Sequence, residues 1–146
     1  MPVKFLAVLL IAAFATQWEP DFENAKKIAK EKHELILLNF SGSDWCGPCI
    51  LLRKDYLDSE AFLQMAADNL VLVNADFPQK KKNQPAPEQV KKNEVLAEKY
   101  NKAGNFPYTL LLDADGKVLK TWTGKPGVSV EEWTSEIKAL CNANKK

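Results

Sequence analysis

The 146-residue chain has a single histidine, His33, and three cysteines, Cys46, Cys49 and Cys141. A structural zinc site needs about four ligands drawn largely from these two residue types. One close Cys pair is there, but His33 and Cys141 stand far apart and form no second close pair, so no metal is expected. Haem attachment needs a His directly after the second Cys of a pair, and Ile50 stands there. Three cysteines, two of them in one tetrapeptide, do not make a disulfide framework either. Charge of neither sign dominates: Lys plus Arg total 20 and Asp plus Glu 19. That balance favours neither nucleic acid nor a strongly acidic partner. No apolar run reaches the ~20 residues of a membrane span. There is no internal repeat, and the one biased stretch is Lys80-Lys81-Lys82.

What is present reads as an ordinary folded domain. Hydrophobic residues make up 46% and charged residues 27%, enough apolar material to bury a core without disulfide staples. The first residues read as an address. Lys4 is a small positive region, Phe5 to Ala13 is uninterrupted and apolar, and Ala13-Phe14-Ala15 has small residues at both cleavage positions. A secretory signal over 1–15, cut after Ala15, is expected; an uncleaved apolar helix is the competing reading. The cut leaves 16–146 as a single domain in the periplasm or secreted, and no Cys lies at the cut site to take a lipid anchor. An oxidising compartment gives a lone Cys pair a redox purpose.

Periodicity places the elements. Phe22, Ala25, Ile28 and Ala29 at helical spacing predict a helix over Asp21 to Lys32. Leu35 to Phe40 and Leu70 to Ala75 are short continuous apolar runs, the pattern of buried strands. Between them, helices are expected from Gly47 to about Tyr56, with Pro48 at an early helical position, and from Ser59 to Asp68. Gln79 to Pro87 is polar and basic, and 79–92 reads as an insertion leading into a helix from about Glu88 to Lys102, ended by Gly104. Tyr108 to Leu112, the turn Asp113-Ala114-Asp115-Gly116 and Lys117 to Thr123 form a hairpin. Ser129 and Glu132 stand in capping-box spacing before a helix that buries Val130, Trp133, Ile137, Leu140 and Cys141. The order implies an α/β sheet with a parallel pair and a closing hairpin.

The chemistry concentrates in Trp45-Cys46-Gly47-Pro48-Cys49. Cys46 follows a strand and a turn and opens a helix. Unpaired N–H groups and the helix dipole favour negative charge there. A free thiol titrates near about 8.5, and helix-start pairs of this spacing reach about 7 or below. Cys49 lies one turn along and can attack a mixed disulfide formed on Cys46; Gly47 allows close approach and Pro48 stiffens the turn. An inert structural bridge stays open, although so short a loop stabilises little.

Asn39-Phe40-Ser41-Gly42-Ser43-Asp44-Trp45-Cys46-Gly47-Pro48-Cys49, then Gly104-Asn105-Phe106-Pro107-Tyr108-Thr109 and the hairpin Leu111 to Val118, resemble the thioredoxin superfamily, and within it the exported bacterial thioredoxin-like proteins. The resemblance covers roughly residues 20–143. It implies the thioredoxin fold, a central mixed sheet with helices on both faces, with Cys46 as attacking and Cys49 as resolving cysteine and no cofactor. Pro107 would be a cis-proline facing the pair, the backbone of Phe106 would take a substrate chain as an added strand, and Trp45 would shield one side. Trp45, Gly47, Pro48, Phe106 and Pro107 are thus the expected substrate-binding residues. The implied activity is thiol–disulfide exchange with protein substrates. The Gly-Pro dipeptide resembles that of reductases, and an oxidase or isomerase, or a non-catalytic binding module, is the alternative. A thiol electron donor, such as a membrane relay, would be required, and the protein is expected as a monomer. In three places the chain departs from the family. Asn39 stands where a buried Asp is usual, Leu72 is read at the place of an accompanying Lys, and 79–87 is inserted. The Lys80–Lys82 run is expected as a solvated loop or a basic lip beside the pair, Cys141 as a small core residue, and His33 as a surface residue.

Overall fold

Side chains alternate in direction along the buried strands and so divide between two cores. The computed structural model describes residues 17–145, so the expected leader over 1–15 lies outside the described residues. Within them the order is α1 (Phe22–Lys32), β1 (Leu35–Ser41), α2 (Gly47–Leu52) continued by a π-helical turn (Arg53–Leu57), and α3 (Glu60–Asn69). Then come β2 (Leu70–Asp76), a 3-10 turn (Lys81–Asn83), α4 (Pro87–Tyr100), β3 (Tyr108–Leu112), β4 (Val118–Thr123) and α5 (Val130–Ala143). The four strands form one mixed sheet in the order β2-β1-β3-β4. β1 and β2 are parallel, and β3 runs antiparallel to both β1 and β4.

Central β1 is buried from end to end, as a strand covered on both faces must be. Leu35 and Leu37 enter one core with Phe62, Leu72, Leu111, Trp133 and Ile137. Ile36, Leu38 and Phe40 enter the other with Phe22, Ala25, Val73, Leu96 and Leu110. The α2 end, α3 and α5 therefore cover one face, and α1 and α4 the other. Side-chain oxygens of Asp21, Ser59 and Ser129 cap α1, α3 and α5 by accepting from Asn24, Phe62 and Glu132 N–H, each worth about 1 kcal/mol. On α5, Trp133 stacks on Phe62 with centroids 5.7 Å apart and meets Tyr56 and Trp122 edge-on. Cys141 is free and buried on the same stripe.

Several boundaries differ from the periodic reading, each for a local reason. The α-helix expected to reach Tyr56 stops at Leu52 and widens into the π turn, where Asp58 N–H bonds the Arg53 carbonyl at 2.9 Å. The wider turn brings both Tyr56 and Leu57 into the core. α4 begins at Pro87, whose missing N–H costs nothing there, and stops at Tyr100. It is Asn101, not Gly104, that ends it: the Asn101 side chain bonds both the N–H and the carbonyl of Asn105, at 2.9 Å each. β1 and β2 each run one residue further than expected, to the pair Ser41 and Asp76.

Candidate active site

Beyond β1 the chain turns sharply, and Cys46 N–H bonds the Gly42 carbonyl at 2.9 Å. Cys46 keeps extended backbone (φ −93°, ψ 100°) as the N-cap of α2. Its sulfur therefore occupies the place of a capping oxygen and accepts from Cys49 N–H at 3.3 Å. One orphan donor of the helix start is thus aimed at sulfur, which stabilises a thiolate there. A disulfide joins Cys46 to Cys49, their Cα atoms 5.2 Å apart. Cys46 is 6% exposed and Cys49 3%, so Cys46 is the more open of the two. Gly47 and Pro48, between them, are exposed. Six large apolar side chains are exposed among the described residues, and three of them, Trp45, Ile50 and Leu51, flank the pair. An apolar surface concentrated there suits a visiting chain.

Trp45 belongs to an aromatic wall. Its Nε1 donates to the Phe77 carbonyl at 2.7 Å. Its ring meets Phe106 edge-on with centroids 5.4 Å apart, and Phe106 meets Phe77 at 5.7 Å. The Phe106–Pro107 peptide is cis, Pro107 is buried and its carbonyl accepts from Gly124 N–H at 2.9 Å. The loop before β3 thus joins the Cys turn through Phe106. Gly42 makes room for the wall, because a Cβ there would overlap the Trp45 indole. Phe77 was missed in the sequence. Its signal was weak: an apolar residue just past the carboxyl end of a parallel strand, where α/β sites gather.

Under the site, Asn39 is 4% exposed. Its Nδ2 donates to Asn74 Oδ1 at 2.9 Å, and Thr109 Oγ1 donates to Asn39 Oδ1 at 3.0 Å. These three residues face one another across β2, β1 and β3. The sequence comparison placed Leu72 beside Asn39, and the register corrects this. Leu72 pairs with Leu37, whereas Asn74 pairs with Asn39, so a neutral amide occupies the adjoining place.

The inserted stretch packs onto the Cys turn. The Asp44 carboxylate accepts from Gln79 N–H, Lys80 N–H and Asn83 Nδ2, each at 2.9 Å. The Asn83 bond, with the backbone donors and the Lys80 charge, holds the Asp44 carboxyl below its ordinary range. On the other side of the turn, Ser43 N–H and hydroxyl donate to the Asp76 carboxylate. His33 is exposed in a left-handed conformation at the end of α1. Cys141 borders a cavity with His33, Glu34 and Asn69 at the opposite end of the sheet. Among the described residues no group of three or more His, Cys, Asp or Glu side chains could hold a metal ion. No helix among them is long and apolar enough to cross a membrane.

Comparison with known proteins agrees with this geometry. Residues 22–140 match the family model for a thioredoxin-like domain. The chain is 40% identical over 129 residues to the disulfide bond reductase DsbH of Chlamydia pneumoniae, a match spanning 88% of this chain and 75% of that one. A solved DsbH oxidoreductase structure superposes with a TM-score of 0.78 at 34% identity, covering 97% of this chain and 95% of the other. A thioredoxin from Thermus thermophilus shares the fold, with a TM-score of 0.65 at 13% identity over 89% and 91% of the two chains. The chain belongs to the thioredoxin-like family and is a thiol–disulfide oxidoreductase.

Proposed function

We propose that this oxidoreductase works as a reductase of protein disulfides outside the cytoplasm, with Cys46 attacking and Cys49 resolving. The observation that carries the assignment of roles is the 3.3 Å bond from Cys49 N–H to the Cys46 sulfur. It favours the thiolate at Cys46, the more open sulfur. In the reduced protein the Cys46 thiolate attacks one sulfur of a substrate disulfide. A mixed disulfide forms and the other substrate sulfur leaves as a thiolate. Cys49, losing its proton to water, then attacks Cys46, closes the Cys46–Cys49 disulfide and releases the second substrate thiol. Two electrons pass to the substrate, and an external dithiol must return them; a membrane thiol relay would serve. Trp45, Phe106 and the exposed Gly47 and Pro48 border the path of the substrate chain, which adds as a strand along the Phe106 backbone before Pro107. Both sulfurs and the wall come from one chain, so a monomer suffices. The relative named as a reductase and the Gly-Pro dipeptide favour this direction, and the leader cut after Ala15 would deliver the protein to the periplasm or beyond.

Insulin reduction with dithiothreitol as donor tests the activity. The wild-type protein accelerates it, Cys46→Ser abolishes it, and Cys49→Ser accumulates a mixed disulfide with substrate. A glutathione redox titration tests the direction. A potential near or below about −270 mV fits a reductase, whereas one near about −120 mV, the range of a strong oxidant, rules that direction out.

A further inference from the structure

We infer that the loop over residues 79–83 selects substrates, favouring polypeptide disulfides that carry acidic residues about four positions from the reacting cysteine. The inference rests on the reductase reading and names which disulfides that site prefers.

Asp44 lies two residues before Cys46, and its carboxylate pins the loop through Gln79, Lys80 and Asn83. Gln84 Nε2 ties the far side to the Pro78 carbonyl at 2.6 Å, and Phe77 N–H bonds the Ser41 carbonyl at 2.8 Å. The loop is therefore built onto the Cys turn. Lys80, Lys81 and Lys82 are exposed, and none forms a salt bridge among the described residues. Asp44 offsets part of the Lys80 charge, while Asp76 is held by Ser43. Lys81 and Lys82 present unmatched positive charge.

The distance sets the substrate pattern. Two backbone steps, one Asp side chain and one hydrogen bond separate Cys46 from the Lys80 backbone, on the order of 15 Å at most. An extended peptide covers that in about four residues. The wall of Trp45, Phe106 and Phe77 adjoins Cys46 through Trp45, and Phe77 lies two residues before the loop. A substrate chain crossing the wall with apolar side chains meets the lysines next. With 20 positive and 19 negative charges in the whole chain, the attraction is local and screened by salt.

Symmetric disulfide dimers of a short synthetic peptide test this. One form carries Asp-Glu-Asp beginning at the fourth residue after its cysteine, and the other carries Asn-Gln-Asn there. Exchange of the reduced protein with each is timed at low and high salt. The acidic dimer reacts about fivefold or more faster at low ionic strength, and the ratio falls towards one in about 0.5 M salt. Replacing Lys80, Lys81 and Lys82 together with Ser brings the low-salt ratio to about one. A wild-type ratio of one, or a ratio that survives the triple Ser change, overturns the inference and leaves the reductase reading intact. Failure of the wild-type protein to reduce either dimer overturns both.

Discussion

Asn39 puts a neutral group at the base of the site, and its amide is bonded on both sides, donating to Asn74 and accepting from Thr109. Proton transfer to or from Cys49 therefore does not pass through a carboxyl on β1. The exchange rate of the wild-type protein should rise with pH through one ionisation, that of Cys46. Asn39→Asp places a buried carboxyl with no cation beside it, and burial raises its pKa. Its rate profile should gain a second inflection, read by timing insulin reduction from pH 5 to 9. Two inflections in the wild-type profile would show that another group takes the part. Asn39→Ala leaves the buried Thr109 hydroxyl without its partner, which costs about 1–3 kcal/mol, and removes the bond to half-buried Asn74. Urea unfolding of that variant should show a loss of about 2 kcal/mol or more.

The turn from β1 to α2 depends on Gly42, over which the Trp45 indole lies. Gly42→Ala must push the ring aside, weakening its bond to the Phe77 carbonyl and its contact with Phe106. Overpacking of this kind costs about 1–3 kcal/mol, so a thermal melt should fall by several degrees and protein substrates should be reduced more slowly than small disulfides. An unchanged melt and unchanged rates would mean the wall accommodates the methyl. Much of this element was legible beforehand, because Cys46, Gly47, Pro48 and Cys49 are adjacent in sequence and the strand before them is uniformly apolar. All four strands announced themselves by apolar runs and by the Asp113–Gly116 turn. The π turn did not, since Cys49, Leu52 and Tyr56 keep the spacing of an uninterrupted α-helix. Asn74 was missed because register depends on where pairing starts: Leu35 opposite Leu70 sets an offset that only the folded sheet reveals. The contacts of Asp44 were out of reach for a related reason, joining a carboxylate to backbone amides 35 and 36 residues away.

The core that α5 closes answers to pH differently from the site it supports. Cys141, on the stripe of α5 that closes one core, is 2% exposed, and burial pushes its thiol up to about 11. Below about pH 8 the thiol is protonated in folded and unfolded chains alike and contributes nothing to the pH dependence. As pH rises from about 9 towards 11, the unfolded chain gives up this proton while the folded one keeps it. Stability then falls with pH because the unfolded state binds fewer protons, a loss on the order of 2 kcal/mol across that window. Urea unfolding at a series of pH values should show the decline, and Cys141→Ala should flatten it, even though the variant starts less stable for the small cavity it leaves. A slope unaltered by the substitution would assign the decline to lysines and tyrosines instead. The same burial keeps this thiol out of the redox chemistry. With the Cys46–Cys49 pair reduced, a thiol reagent at pH 8 should modify Cys46 quickly and Cys141 only after the fold opens. Modification of Cys141 at the rate of Cys46 would mean that α5 lifts from the sheet in the native protein.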